Sequence, residues 1–118
     1  MSTRIDTRYD DEIGAFVVRM PEFIVFNELK QWKAEFLSYL SKIEGQEKAA
    51  VLIDTNTHQF ESIECLKLLR EIFSEPEVIR RISKAAFVGP SQYRKPEIVS
   101  SSEGYFSSYT DAYRWLSS

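Results

Sequence analysis

Lys48-Ala49-Ala50-Val51-Leu52-Ile53-Asp54-Thr55 is the stretch on which the reading of this chain turns. Ala49 to Ile53 is an uninterrupted apolar run of strand length, small residues first and larger branched ones after. A strand covered on both faces reads this way, whereas a strand with one wet face alternates apolar and polar residues. Helical patterns flank the run on both sides, so it reads as a central parallel strand of an α/β sheet. Asp54 and Thr55 fall where that strand leaves the sheet, the edge at which open α/β folds place their ligands.

Working back from the run, Leu29, Trp32, Phe36, Tyr39, Leu40 and Ile43 recur at steps of three and four and predict one apolar helix stripe. Asn27 is the expected N-cap, Glu28 suits the positive end of the helix dipole, and Gly45 is the expected terminator. Before that helix, Thr3 to Tyr9 alternates, with Ile5, Thr7 and Tyr9 on one side. Asp10-Asp11-Glu12 reads as a turn and Ile13 to Met20 as a second strand stopped by Pro21. The pair predicts an N-terminal hairpin.

Working forward, Thr55 to Glu61 is a polar connection carrying the single histidine, His58. Ser62 is expected to cap a helix with Ile63, Leu66, Leu69, Ile72 and Phe73 inward. Ser74-Glu75-Pro76-Glu77 is a capping-box pattern opening a short helix, with Val78, Ile79 and Ile82 buried. Lys84 to Val88 repeats the central strand's character, and Gly89-Pro90 stops it. Ser91 to Ser102 reads as loop and Tyr105-Phe106 as a last strand. Ser108 opens a closing helix with Ala112, Trp115 and Leu116 inward.

The whole, 118 residues, suits one domain over 1–118. A hydrophobic fraction of 43% and a charged fraction of 28% are those of a soluble globule. The net charge of −3 is spread along the chain and leaves no basic footprint, which argues against nucleic acid. One cysteine, Cys65, excludes an internal disulfide. Met1 to Glu12 lacks the apolar core of a signal peptide, and no apolar run is long enough to span a membrane, so the expected location is the cytoplasm.

The element order is β-β-α-β-α-(α)-β-loop-β-α, and the chain closes on Tyr105-Phe106-Ser107-Ser108-Tyr109-Thr110-Asp111-Ala112-Tyr113-Arg114-Trp115-Leu116. In both respects it resembles the small stand-alone SpoIIAA-like proteins of the STAS superfamily, named for sulphate transporters and anti-sigma-factor antagonists. Members of that group typically end in an aromatic strand, a short cap, and a helix carrying Ala and then Trp-Leu. The resemblance implies a STAS fold: a mixed, mainly parallel sheet with an N-terminal hairpin and three to four helices.

The family's regulatory members carry a phosphorylated serine after the central strand, in an Asp-Ser-Ser-Gly context. The matching place here is Glu61-Ser62-Ile63-Glu64, which keeps one acid and one serine. The resemblance thus implies Ser62 as a phosphorylation site, although Glu61 and Glu64 oppose added charge. An N-cap role is the ordinary use of such a serine.

Other chemistry is poorly supplied. His58 and Cys65 are seven apart without the short-spaced partners of a metal site, so neither a metal nor a cofactor is expected. Cys65 sits on the margin of an apolar face, where an inert thiol is the common outcome. Asp54 lacks the lysine and acidic pair that a phosphoacceptor aspartate needs at its edge of the sheet, and caps the next turn instead. Trp32, Trp115, Phe36, Tyr39, Tyr109 and Tyr113 have the helical spacing of core residues.

The expected binding residues are therefore Asp54, Thr55, Asn56, Thr57, His58, Ser62, Tyr93 and Arg94, gathered on the edge where parallel strands end. Tyr93 and Arg94 are the expected anchors. The expected function is a non-enzymatic STAS-like module that recognises another protein, in bacterial signalling. The alternative is a carrier or sensor of a small amphiphilic, lipid-like or nucleotide ligand, to which some relatives of the fold are linked.

Overall fold

All five residues from Ala49 to Ile53 are buried, none more than 6% exposed. They lie in β4 (Ala49–Asp54), which pairs in parallel with a strand on each side. The structure, a computed structural model, describes residues 5–42, 48–55, 59–89 and 97–117.

The hairpin is β1 (Asp6–Asp10) and β2 (Ala15–Arg19), antiparallel, with Tyr9 opposite Phe16. Its turn is tied by the Glu12 N–H donating to Asp10 Oδ1 at 2.9 Å. Gly14 takes φ +61°, a left-handed conformation that a side chain would strain. After a two-residue strand, β3 (Phe23–Ile24), α1 (Phe26–Ser41) leads towards β4. Next come β5 (Gln59–Phe60), α2 (Ile63–Ile72) and α3 (Pro76–Arg81). The chain closes with β6 (Ile82–Val88), β7 (Glu97–Ser100), β8 (Glu103–Phe106) and α4 (Tyr109–Ser117).

Among the described residues, six strands form one sheet in the order β1-β2-β4-β6-β8-β7. Its four inner strands run parallel and its two edge strands antiparallel. β3 and β5 pair separately in parallel.

The two faces of the sheet are covered unequally. On one, α1, α2 and α3 bury Leu29, Trp32, Phe36, Leu40, Cys65, Ile72 and Val78 against alternate residues of β2 and β4. Each fully buried large apolar side chain contributes roughly 2 kcal/mol. On the other face α4 alone lays Ala112 and Leu116 over Ala15, Ala50, Leu52, Ala86 and Val88. The small residues of β2, β4 and β6 let that helix come close. Trp32 is fully buried, and its indole N–H is satisfied by Thr7 Oγ1 at 2.8 Å.

Several expectations change. Asn27 lies inside α1, and the N-cap is Val25. Helix α1 ends at Ser41 with Lys42 as C-cap, and Tyr39 is 37% exposed; Ile43 and Gly45 lie outside the described residues. Glu75 rather than Ser74 is the N-cap of α3, with Pro76 in the first turn, because the Ser74 hydroxyl donates to the Arg70 carbonyl. Ile79 is exposed and Ile82 belongs to β6, since α3 spans only six residues and has room for one inward position, Val78. The stretch read as loop contains β7, an edge strand exposed throughout, with nothing in its alternation to mark it. Ser108 caps α4 as expected, its Oγ accepting from the Asp111 N–H at 3.2 Å.

Candidate functional site

The C-terminal ends of β4, β6 and β8 are stitched together on one edge of the sheet. The backbone N–H and the hydroxyl of Thr55 both donate to the Val88 carbonyl, at 2.8 and 2.7 Å. The Gly89 N–H donates to the Phe106 carbonyl at 3.0 Å. A Cβ at 89 would lie 3.4 Å from Thr55 Oγ1, so the two loops are in close contact here.

A groove of about 750 Å³ opens beside the junction, between α2 and the β6–β8 part of the sheet. One wall is α2 with its C-cap, through Ile63, Leu66, Leu69 and Phe73. The floor is Phe87 and Tyr105, stacked with ring centroids 5.3 Å apart. Phe73 stands edge-on to Phe87 at 5.3 Å. The polar rim includes Thr55, Ser62, Arg70 and Glu103. Glu103 accepts the Tyr105 hydroxyl at 2.8 Å.

The groove exists because α2 is apolar around more of its circumference than one buried stripe needs. The inward face was expected at Ile63, Leu66, Leu69, Ile72 and Phe73, whereas the buried residues are Cys65, Leu68, Leu69 and Ile72. Ile63 is 63% exposed and Leu66 39%. Cys65 and Leu68 take the core, and the displaced pair is turned towards the groove.

The near end of the groove is held by a clasp between residues 22–26 and 59–65. Gln59 N–H donates to the Glu22 carbonyl and Glu61 N–H to the Ile24 carbonyl, both at 2.8 Å. The Cys65 thiol also points to the Ile24 carbonyl, at 3.6 Å. Glu61 Oε1 accepts the Phe26 N–H at 3.1 Å, so the acid just before α2 caps the start of α1. Neither Val25 nor Ser62 makes a side-chain capping bond of its own among the described residues. Ser62 keeps the N-cap position, with an exposed hydroxyl.

Of the expected binding residues, Thr55 and Ser62 line the groove. Asp54 ends β4 beside Val88, its carbonyl accepting the Met20 N–H at 3.1 Å. Asn56, Thr57, His58, Tyr93 and Arg94 lie outside the described residues. Sequence reasoning missed Ile63, Leu66, Phe87 and Tyr105 as a surface; the surplus of apolar residues in α2 was the available signal. Trp32 and Phe36 are core, and Trp115, Tyr109 and Tyr113 pack on the α4 face. No cluster of three or more His, Cys, Asp or Glu side chains suited to a metal occurs among the described residues. Cys65 is fully buried. No helix among the described residues is long and apolar enough to cross a membrane.

On the opposite face, Tyr113 donates its hydroxyl to Asp10 Oδ2 at 3.2 Å. Desolvation of the half-buried ring, then that hydrogen bond, then the charges of Asp10 and Glu12, raise its pKa above the ordinary 10.0.

No protein-family model and no curated protein matches the chain. Among solved structures, an uncharacterised DUF3478-family protein from Shewanella loihica PV-4, described as having a SpoIIAA-like fold, matches with a TM-score of 0.64. The match covers 98% of this chain and 94% of that one, at 14% identity. The fold is SpoIIAA-like. Within the SpoIIAA-like frame the sheet is mixed and mainly parallel, with the hairpin and four helices among the described residues, as the resemblance implied. Ser62 stands at the N-cap of α2, the helix that follows β4 and β5.

Proposed function

We propose that this SpoIIAA-like chain is a non-enzymatic interaction module that docks another protein on α2 and the adjoining groove, in bacterial signalling. One observation carries the reading: Ile63 and Leu66, 63% and 39% exposed, stand one turn apart on the wall of an apolar groove. A protein surface can cover the exposed Ile63 and Leu66 and the Phe87–Tyr105 floor together. Aromatic and apolar centres ringed by polar residues are the usual anchors of such contacts.

The groove's volume favours a second reading. At about 750 Å³ it falls within the range of small-molecule sites. Its apolar walls with Arg70, which has no ion pair among the described residues, suit an amphiphile with an anionic head.

Native mass spectrometry of freshly purified protein separates the two. A co-purifying protein that is lost in a Leu66→Asp variant of unchanged thermal midpoint supports docking. A retained small-molecule mass lost in the same variant supports the second reading. Association of a protein that survives Leu66→Asp overturns the first.

A further inference from the structure

The clasp between 22–26 and 59–65 ties the start of α1 to the start of α2, two helices that share one core. Helices α1 and α2 both begin without a side-chain cap of their own among the described residues, and Glu61 serves the first from a position just ahead of the second. A carboxylate at the positive end of α1 gains from the helix dipole as well as from the hydrogen bond. The strands that accompany it, β3 and β5, are two residues each, too short to hold by themselves. Phe60, Ser62 and Ile63, which the clasp carries, form the near end of the groove.

We propose that this clasp is a latch on the groove, opening as one unit, with Glu61 as the positioning residue that keeps it shut. When the carboxylate leaves the Phe26 N–H, the bonds at Gln59 and Glu61 part with it. The start of α2 then swings from α1, and the wall carrying Phe60, Ser62 and Ile63 moves off the floor. Such opening lies below the free energy of global unfolding if it lifts only Ile24 and Cys65 from the core and leaves the packing of β4 in place. The latch goes beyond the docking reading and is tested without any partner.

The protein supplies its own reporter. Cys65, the single cysteine, is 0% exposed and its thiol faces the Ile24 carbonyl inside the clasp, so opening exposes it. The wild type and a Glu61→Ala variant are reacted under native conditions with 5,5′-dithiobis(2-nitrobenzoate), while amide exchange is followed at 26, 59 and 61 and at Val51 and Leu52 of β4. The latch requires labelling about tenfold faster in Glu61→Ala, as the loss of a cap implies. The amides at 26, 59 and 61 must accelerate together and those of β4 stay unchanged. Glu61→Gln, which keeps an acceptor without the charge, falls between; should the alanine variant not fold, the same comparison is made with it. Unchanged labelling, acceleration at 26 alone, or equal acceleration in β4 overturns the latch.

Discussion

Gly104 shows how much one hydrogen atom decides on the α4 face. A Cβ there would lie 2.9 Å from Phe106 Cε2 and 3.6 Å from the Trp115 ring. The Phe106 ring is itself held against Trp115, centroids 5.5 Å apart, and has little room to yield. An alanine in a strand ordinarily gains on glycine through backbone entropy. Here the overlap outweighs that gain, and Gly104→Ala is expected to lose about 1–3 kcal/mol in urea unfolding. Residues of this kind are silent in the sequence, because their partners are other residues' rings. The same holds for the α1 cap: Asn27 has the right chemistry, yet the bond to Phe26 comes from Glu61, 35 residues away. By contrast Ala49 to Ile53 was legible, since burial on both faces leaves its mark on composition alone.

At the scale of the element, α2 has two apolar faces with different duties. Ile72 is fully buried and Ile63 is 63% exposed. Ile72→Ala is therefore expected to cost about 2–5 kcal/mol, and Ile63→Ala under about 1 kcal/mol, in the same denaturation assay. Equal costs would mean that Ile63 is core and the groove is not a free surface. This division was only half legible. Apolar residues at 63, 65, 66, 68, 69, 72 and 73 satisfy more than one helical phase, and packing against Ile24 and α1 chooses between them. Short strands such as β5 and β7 were illegible for another reason: two or four residues leave too little alternation to read, and backbone bonds pair them.

For the molecule as a whole, the order of elements and the parallel centre followed from the spacing of apolar runs, and the closing contact did not. Tyr113 of α4 meets Asp10 of β1 across 103 residues. Its raised pKa means that the folded state holds the phenol proton more tightly than the unfolded chain. The stability it adds is full below the ordinary value of 10.0 and is lost as pH climbs through the raised one. A Tyr113→Phe variant should consequently show a flatter decline of unfolding midpoint above pH 10 than the wild type; parallel declines would deny the linkage. The strand order has a consequence for how the molecule is made. β8 lies between β6 and β7 but is translated after both. Until Glu103–Phe106 leaves the ribosome, the nascent chain carries β6 as an open edge, and Glu97–Ser100 has no strand to join. An open edge of this kind is a template for pairing with another chain, and β8 is the strand that closes it.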